Sequence, residues 1–472
     1  SVTPDQVLAV NPNTGTLPLF QSRMDADITI GIYRRHPVLI RDGDPDGNPW
    51  GLSFTTMFHM ANDSGLFHTA EELDALGARF DGWAWELREE EAPGVGDDAG
   101  VVATRVETRD GGDQLPEDRK RSPSGGAPTE AELKAESELG GGQRVKRWLP
   151  LYEAKMLNRY DHRFATYANL PEGFLGTSIP KISDGQHNDP NVEPLARYWV
   201  EESEVDAALA DRSDRGWLLG WRDIARASDV RTMVPCAFPR SAVGNKFPVG
   251  FASMQAGSVT GHTAAERANA DADRAGAEVA ALLLAVWSSL VFDYIARQKL
   301  SGTGMTYFIL KQLACPRPEA FDARFPASSS GGDDQDRETN DQSPNTLRDF
   351  IIPRVLELTY TSHRMAPFAR DLGYDGPPFR WKPDHRALIQ AELDALMMHV
   401  YGLTCDEVEH VLDSFPVLRK YEERDHGEFR TRRLILDSYA HIAAASEFVL
   451  PIETLVMPPS GCGPRDLSKE VS

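Results

Sequence analysis

The string nearest to a metal-dependent hydrolytic motif is Glu153-Ala154-Lys155, with Asp161 close behind it. A spaced Asp with Glu-x-Lys can hold magnesium between two carboxylates while the lysine polarises the attacking water. Three residues of common types also match that pattern by chance, so a metal-dependent nuclease stands as an alternative reading. His162, in Tyr160-Asp161-His162-Arg163, could act as a ligand or base; a His beside an Asp is more often an oriented structural residue. An adenine methyltransferase holds its flipped base with Asn/Asp-Pro-Pro-aromatic. The nearest string here, Gly376-Pro377-Pro378-Phe379, lacks the amide or carboxylate and reads as a proline turn. Gly94–Gly100 (GVGDDAG) follows no strand and opens no helix, so it reads as a loop. No HExxH, Walker A or GxSxG string occurs. Cys236, Cys315, Cys405 and Cys462 form no CxxC pair, which argues against a zinc site or disulfide framework and fits a reducing cytoplasm.

Cations, by contrast, are gathered. One group runs from Arg144 through Lys146, Arg147, Lys155, Arg159 and His162 to Arg163. A second comprises Arg215, Arg222, Arg226, Arg231, Arg240 and Lys246. Arg297, Lys299 and Lys311 form a third, and Arg419, Lys420, Arg424, Arg430, Arg432 and Arg433 a fourth. Phosphates need such neutralisation, and Arg can read guanine with a bidentate fork. Acidic neighbours such as Glu201 and Asp223 could equally pair with them. The net charge of −22, from 50 basic and 72 acidic side chains, argues against nucleic acid only if charge is evenly spread. It is not, because two low-complexity segments hold many of the acids.

The residues nominated for DNA contact are Lys155, Arg163, Arg222, Asn245, Lys246, Arg297, Lys299, Thr303 and Lys311. Ser301-Gly302-Thr303-Gly304 is either a helix C-cap and turn or a phosphate contact flanked by Lys299 and Lys311. Asn245-Lys246 after a glycine is an ordinary turn or a reader of a base edge. Trp217 and Trp221 are expected in the core of a strand pair. Arg432 and Arg433, with Glu428 and Asp437 near, are expected on a solvated, salt-bridged helix face.

Several strings resemble the C-terminal half of large fused restriction–modification and phage-defence adenine methyltransferases, namely the type IIG enzymes and the DISARM and BREX methylases. They are Asn11–Leu39, Asn48–Phe67, LPLYEAKMLNRYDHRFATY (Leu149–Tyr167), Arg215–Pro248, Phe292–Pro316, Leu356–Trp381 and GEFRTRRLILDSY (Gly427–Tyr439). Phe292–Pro316 also resembles the end of a recognition domain in type I specificity subunits. The resemblance implies a DNA target-recognition domain, with double-stranded DNA and a methyltransferase catalytic domain or subunit as partners, and further phage-defence proteins beside them. It implies S-adenosylmethionine on the catalytic half and no cofactor in this chain, which carries no catalytic motif. An interaction scaffold for other defence subunits is the remaining alternative. The opening at Ser1 rather than Met is expected of a piece processed or excised from something longer.

These residues need an α+β frame: a mixed α/β recognition domain followed by a helical C-terminal region. The expected divisions are a mixed N-terminal region (1–109), a flexible insertion (110–142), the recognition domain (143–326), a disordered linker (327–345), a helical region (346–445) and a tail (446–472). The insertion and linker lack aromatics and are rich in Gly, Pro, Ser and acids. DADITIGIYRR predicts an amphipathic helix stopped by Pro37, and YWVEESEVDAALA a strand entering a helix. One long alanine-rich helix is expected from about Thr263 to Lys299, and a short strand over Met305–Leu313. On that strand Tyr307 and Phe308 would face opposite sides, so at most one could meet a ligand. The apolar run Val279–Phe292 is interrupted by Asp293 and falls short of the roughly 20 residues a membrane span needs, so it predicts a buried helix. Thr404 with Glu407 three residues on has the pattern of a capping box.

Overall fold

The computed structural model describes residues 7–8, 10–15, 20–89, 144–170, 178–252, 262–300, 302–323 and 346–444. The expected insertion, linker and tail, and the loop Gly94–Gly100, lie outside the described residues. The fold is α+β, with largely antiparallel sheets and a helical C-terminal region. Its described strands are β1 (Leu52–Thr55), β2 (Arg79–Phe80), β3 (Trp85–Glu89), β4 (Arg144–Tyr152), β5 (Trp199–Glu201), β6 (Trp217–Trp221), β7 (Pro235–Pro239), β8 (Ala242–Val243) and β9 (Val249–Ala252). One sheet runs β1-β9-β6-β7; the other runs β2-β3-β4-β5, with β8 added in parallel to the end of β4.

The first sheet is a partition between two cores. Along β6, Trp217, Leu219 and Trp221 enter the main core while Leu218 enters the second, as the two-residue period of a strand dictates. Every residue of β6 is buried, the mark of a strand covered on both faces. At Gly220 a Cβ would lie 2.5 Å from the Pro248 carbonyl and 2.7 Å from the Phe247 ring, so only glycine lets β6 approach that loop. The second core is tryptophan-rich, built from Trp83, Trp85, Trp148 and Trp199 around the second sheet. Both Trp217 and Trp221 are buried as expected. At the open edge of β1, the Asn48 side chain takes the Leu52 N–H and donates to the Leu52 carbonyl, occupying both ladder groups.

Helices are α1 (Arg23–Arg35), α2 (Ala70–Ala75), α3 (Asp184–His187), α4 (Glu202–Leu209), α5 (His262–Ser288), α6 (Leu290–Lys299) and α7 (Tyr307–Leu310), then the C-terminal set. That set is α8 (Leu347–Thr359), α9 (Ala366–Asp371), α10 (Pro383–Val400), α11 (Cys405–Asp413), α12 (Pro416–His426) and α13 (Arg430–Ala444). Helix α1 is N-capped by Ser22 and ends at His36, before Pro37. Its Ile28, Ile32 and Tyr33 join α5, α6 and the C-terminal helices in the main core, so space rather than chain order groups these segments. The strand–helix junction β5–α4 and the Thr404–Glu407 capping box form as the sequence predicts.

Two expected elements are corrected. The single helix expected over 263–299 is two helices, α5 and α6, bent by 65° at Ser289. Ser289 is extended, and its hydroxyl accepts the Phe292 N–H as the N-cap of α6. The groups released by the break are satisfied: the Ser288 carbonyl receives Arg159 and Arg231, and the Leu290 N–H goes to Asp394. The strand expected over Met305–Leu313 is instead the one-turn helix α7. A short apolar run does not fix its own period, and burial of Met305, Leu310 and Leu313 selects the helical turn. No single helix among the described residues is long and apolar enough to cross a membrane.

Candidate nucleic-acid interface

The turn Asn158–Asp161 closes on itself through paired backbone hydrogen bonds, with Tyr160 at φ 56°. Arg163 behind it is fully buried and donates to the carbonyls of His187, Asp189, Val192 and Thr361. The His162 Nε2 lies 3.0 Å from the Ser362 hydroxyl, across the junction with the helical region. Asp161 is met by His187 at 3.2 Å, and His187 stacks on Trp381 with ring centroids 3.8 Å apart. The other face of Trp381 carries the Arg386 guanidinium, which donates to the Tyr160 and Leu358 carbonyls. The turn is thus bolted to α10 and to the residues following α8. His162 is structural, as expected, although the partner of Asp161 is His187.

Above this bolt five loops meet. The Arg222 side chain donates to the Ala154 and Leu157 carbonyls and fixes the loop that carries Lys155. Asp223 receives Met305 through its carbonyl and reaches Lys246 through its N–H; the Ala225 N–H goes to the Thr303 carbonyl. Asn245 donates from its backbone to Phe58, and its side-chain amide lies 3.1 Å from the His59 ring. Lys155, Arg222, Asn245, Lys246 and Thr303 are therefore brought together, and Lys311 lines an adjoining groove of about 570 Å³ with Tyr307 and the β1 edge.

Exposure sorts the nominated residues. Lys246 and Thr303 are exposed, and Asn245 and Lys155 are half-buried. Lys246 pairs with Asp223 at 3.4 Å, Lys155 with Glu153 at 3.3 Å and Lys311 with Asp42 at 3.1 Å. Surface pairs of this kind are weak enough for a phosphate to replace the carboxylate. Arg163, Arg297 and Lys299 belong elsewhere. Arg163 has its terminal donors committed to backbone. Arg297 and Arg231 share the buried Asp293, at 3.0 and 2.6 Å. Lys299 turns inward to the Val10 carbonyl and Asn11 side chain over the Tyr33 ring, where burial lowers its ammonium to about 7. These three nominations are corrected: each cation is consumed in holding the frame.

Sequence reasoning missed the apolar part of the face. Ile224 is 54% exposed, Phe308 60%, Tyr307 40% and Met60 37%. Tyr307 and Phe308 lie side by side, with ring centroids 4.3 Å apart, and α7 turns both outward, contrary to the alternation expected of a strand. The signal available was an isolated large apolar residue in a polar loop: Ile224 within RDIARASD and Met60 within HMANDSG. Arg226 is exposed beside Ile224, with no side-chain partner among the described residues. Beyond Arg222 and Ile224 the face opens into a cleft of about 1030 Å³ toward α10 and α12, with as many acidic as basic side chains on its walls.

The other candidate chemistry is tied down. Glu153 accepts the Tyr167 hydroxyl and Lys155, whereas Asp161 is buried with His187 and the Arg163 N–H, so the two carboxylates serve different partners. Among the described residues no group of three or more His, Cys, Asp or Glu side chains is placed to hold a metal ion. In the proline turn, Phe379 is buried and stacked on Tyr374 at 5.2 Å, which closes it to a base. Arg432 and Arg433 pair with Glu409, Asp413, Glu428 and Asp437 as a salt-bridged face. No family model, curated protein or solved structure matches this chain.

Proposed function

We propose that this chain reads DNA as the target-recognition part of an adenine-N6 methyltransferase of the restriction–modification or phage-defence kind. It works in the cytoplasm with a catalytic domain or subunit, and S-adenosylmethionine belongs to that partner. The observation that carries the reading is the convergence of Asn245, Lys246, Thr303, Arg226 and Ile224 on loops cross-tied by backbone hydrogen bonds. Cations that can exchange a surface carboxylate for a phosphate set register, and Asn245 and Thr303 supply uncharged groups for base edges. The resemblance of Leu149–Tyr167 and Phe292–Pro316 to recognition domains supports the same assignment, since these strings build the bolt and the Thr303 loop and α7 turn of that face.

The test is fluorescence anisotropy of labelled duplex DNA titrated with the full chain at several salt concentrations. Affinity falls with rising salt, and the double variant Lys246→Ala/Arg226→Ala flattens the log–log slope by about 1 to 2. Arg433→Ala, whose charge is already met by Glu428 and Asp437, leaves the slope unchanged. Absence of salt-dependent binding by the wild-type chain overturns the proposal.

A further inference from the structure

Resting on that reading, we propose that Phe308 and Tyr307 form an aromatic wedge that enters a base step of duplex DNA and partly unstacks it. Both rings stand in solvent, yet their support is rigid. Met305 is held at both ends of its backbone, its N–H by the Asp223 carbonyl and its carbonyl by the Trp221 indole. Beyond α7, the Lys311 and Leu313 carbonyls receive the Ile40 and Leu39 N–H groups, and the Gln312 carbonyl receives the Tyr33 hydroxyl. Met305, Leu310 and Leu313 are fully buried beneath the pair. The rings are thus presented on a pedestal that cannot fold them back into the core.

Apolar side chains that kink DNA part the base pairs of one step, and cations beside them hold the flanking phosphates. Lys311 lies three residues beyond Phe308, and the bridge between Gly304 and Ile224 brings the loop of Arg226 to the pedestal's other end, where the hydrogen bond from the Asp223 N–H to the Lys246 carbonyl adds the loop of Lys246. That arrangement of cations favours a duplex over an apolar protein partner. Asp42 and Asp223, which hold Lys311 and Lys246 in the free chain, are displaced from them by phosphates when the wedge enters.

A plasmid-unwinding assay tests this without knowledge of a target sequence. Plasmid bound by the full chain is relaxed with a topoisomerase, freed of protein and resolved by topoisomer. Entry of a ring unwinds the duplex, so wild-type chain yields a shifted distribution. Phe308→Ala removes the shift and weakens binding about tenfold, while Phe308→Trp restores both. Unchanged circular dichroism and melting of the alanine variant confirm that the pedestal stands. Wild-type chain that binds plasmid in a salt-dependent way but leaves the topoisomers unshifted overturns the wedge and leaves DNA reading intact. No binding at all overturns both. Cross-linking from position 308 to a protein partner, without any shift, assigns the aromatic pair to a protein contact and overturns the wedge.

Discussion

Arg163 and Lys246 were nominated on the same ground, positive charge in a basic cluster, and the structure gives them opposite work. The guanidinium of Arg163 answers four carbonyls inside the protein, whereas the ammonium of Lys246 meets one carboxylate at the surface. Each buried carbonyl left without a donor costs about 1–3 kcal/mol. Arg163→Ala is therefore expected to lower stability by about 3 kcal/mol or more, while Lys246→Ala stays within about 0.5 kcal/mol. Urea unfolding measures both, and equal losses would remove the distinction. Charge type was legible from the sequence. Which cation faces outward was not, because burial is decided by partners remote in the chain, such as Thr361 for Arg163 and Asn11 for Lys299.

At the scale of elements, amphipathic and capped segments were legible: α1, the β5–α4 junction, β6 with β7, and the capping box of α11 all follow local pattern. The bend between α5 and α6 was not, since the alanine-rich run before Ser289 and the apolar LVFDYIARQK after it read as one helix. What decides it is tertiary. Arg159, Arg231 and Asp394 stand ready to take the groups a straight helix would have kept for itself. Ser289 supplies the local part, so Ser289→Ala is expected to cost about 1 kcal/mol in urea unfolding. No measurable loss would mean that the tertiary contacts alone set the angle. The outward turn of α7 was illegible for a related reason, because nine mostly apolar residues fit either period until the buried set is known.

In the whole molecule, one sheet divides two cores, and the turn Asn158–Asp161 fastens the second sheet's side to the C-terminal helices. The fastening has a pH limit. Burial by itself would raise the Asp161 carboxyl, but the hydrogen bond and charge of His187, with the charges of Arg386 and His162, bring it below its ordinary value of 3.8. The folded state then holds that proton less tightly than the unfolded chain. Its stabilisation is complete above about pH 4 and is lost as pH falls through the lowered folded value. Asp25, held low despite burial by His410, Ser22 and Tyr294, titrates in the same direction. Asp161→Asn is expected to be less stable than wild type at pH 7 and to lose less further stability between pH 5 and pH 3, read as urea midpoints. Parallel curves for the two proteins would show that this carboxylate plays no part in acid unfolding.

The bolt also separates what must stay from what can be exchanged. Arg163, His187, Trp381 and Arg386 spend their polar groups on backbone or on the carboxylates of Asp161 and Asp184, and none depends on the identity of Ile224, Arg226, Asn245 or Thr303. The outward side chains of those loops are interchangeable parts mounted on a fixed chassis. On the proposed reading, transplanting the loop tips alone installs a new target specificity and leaves the chassis undisturbed.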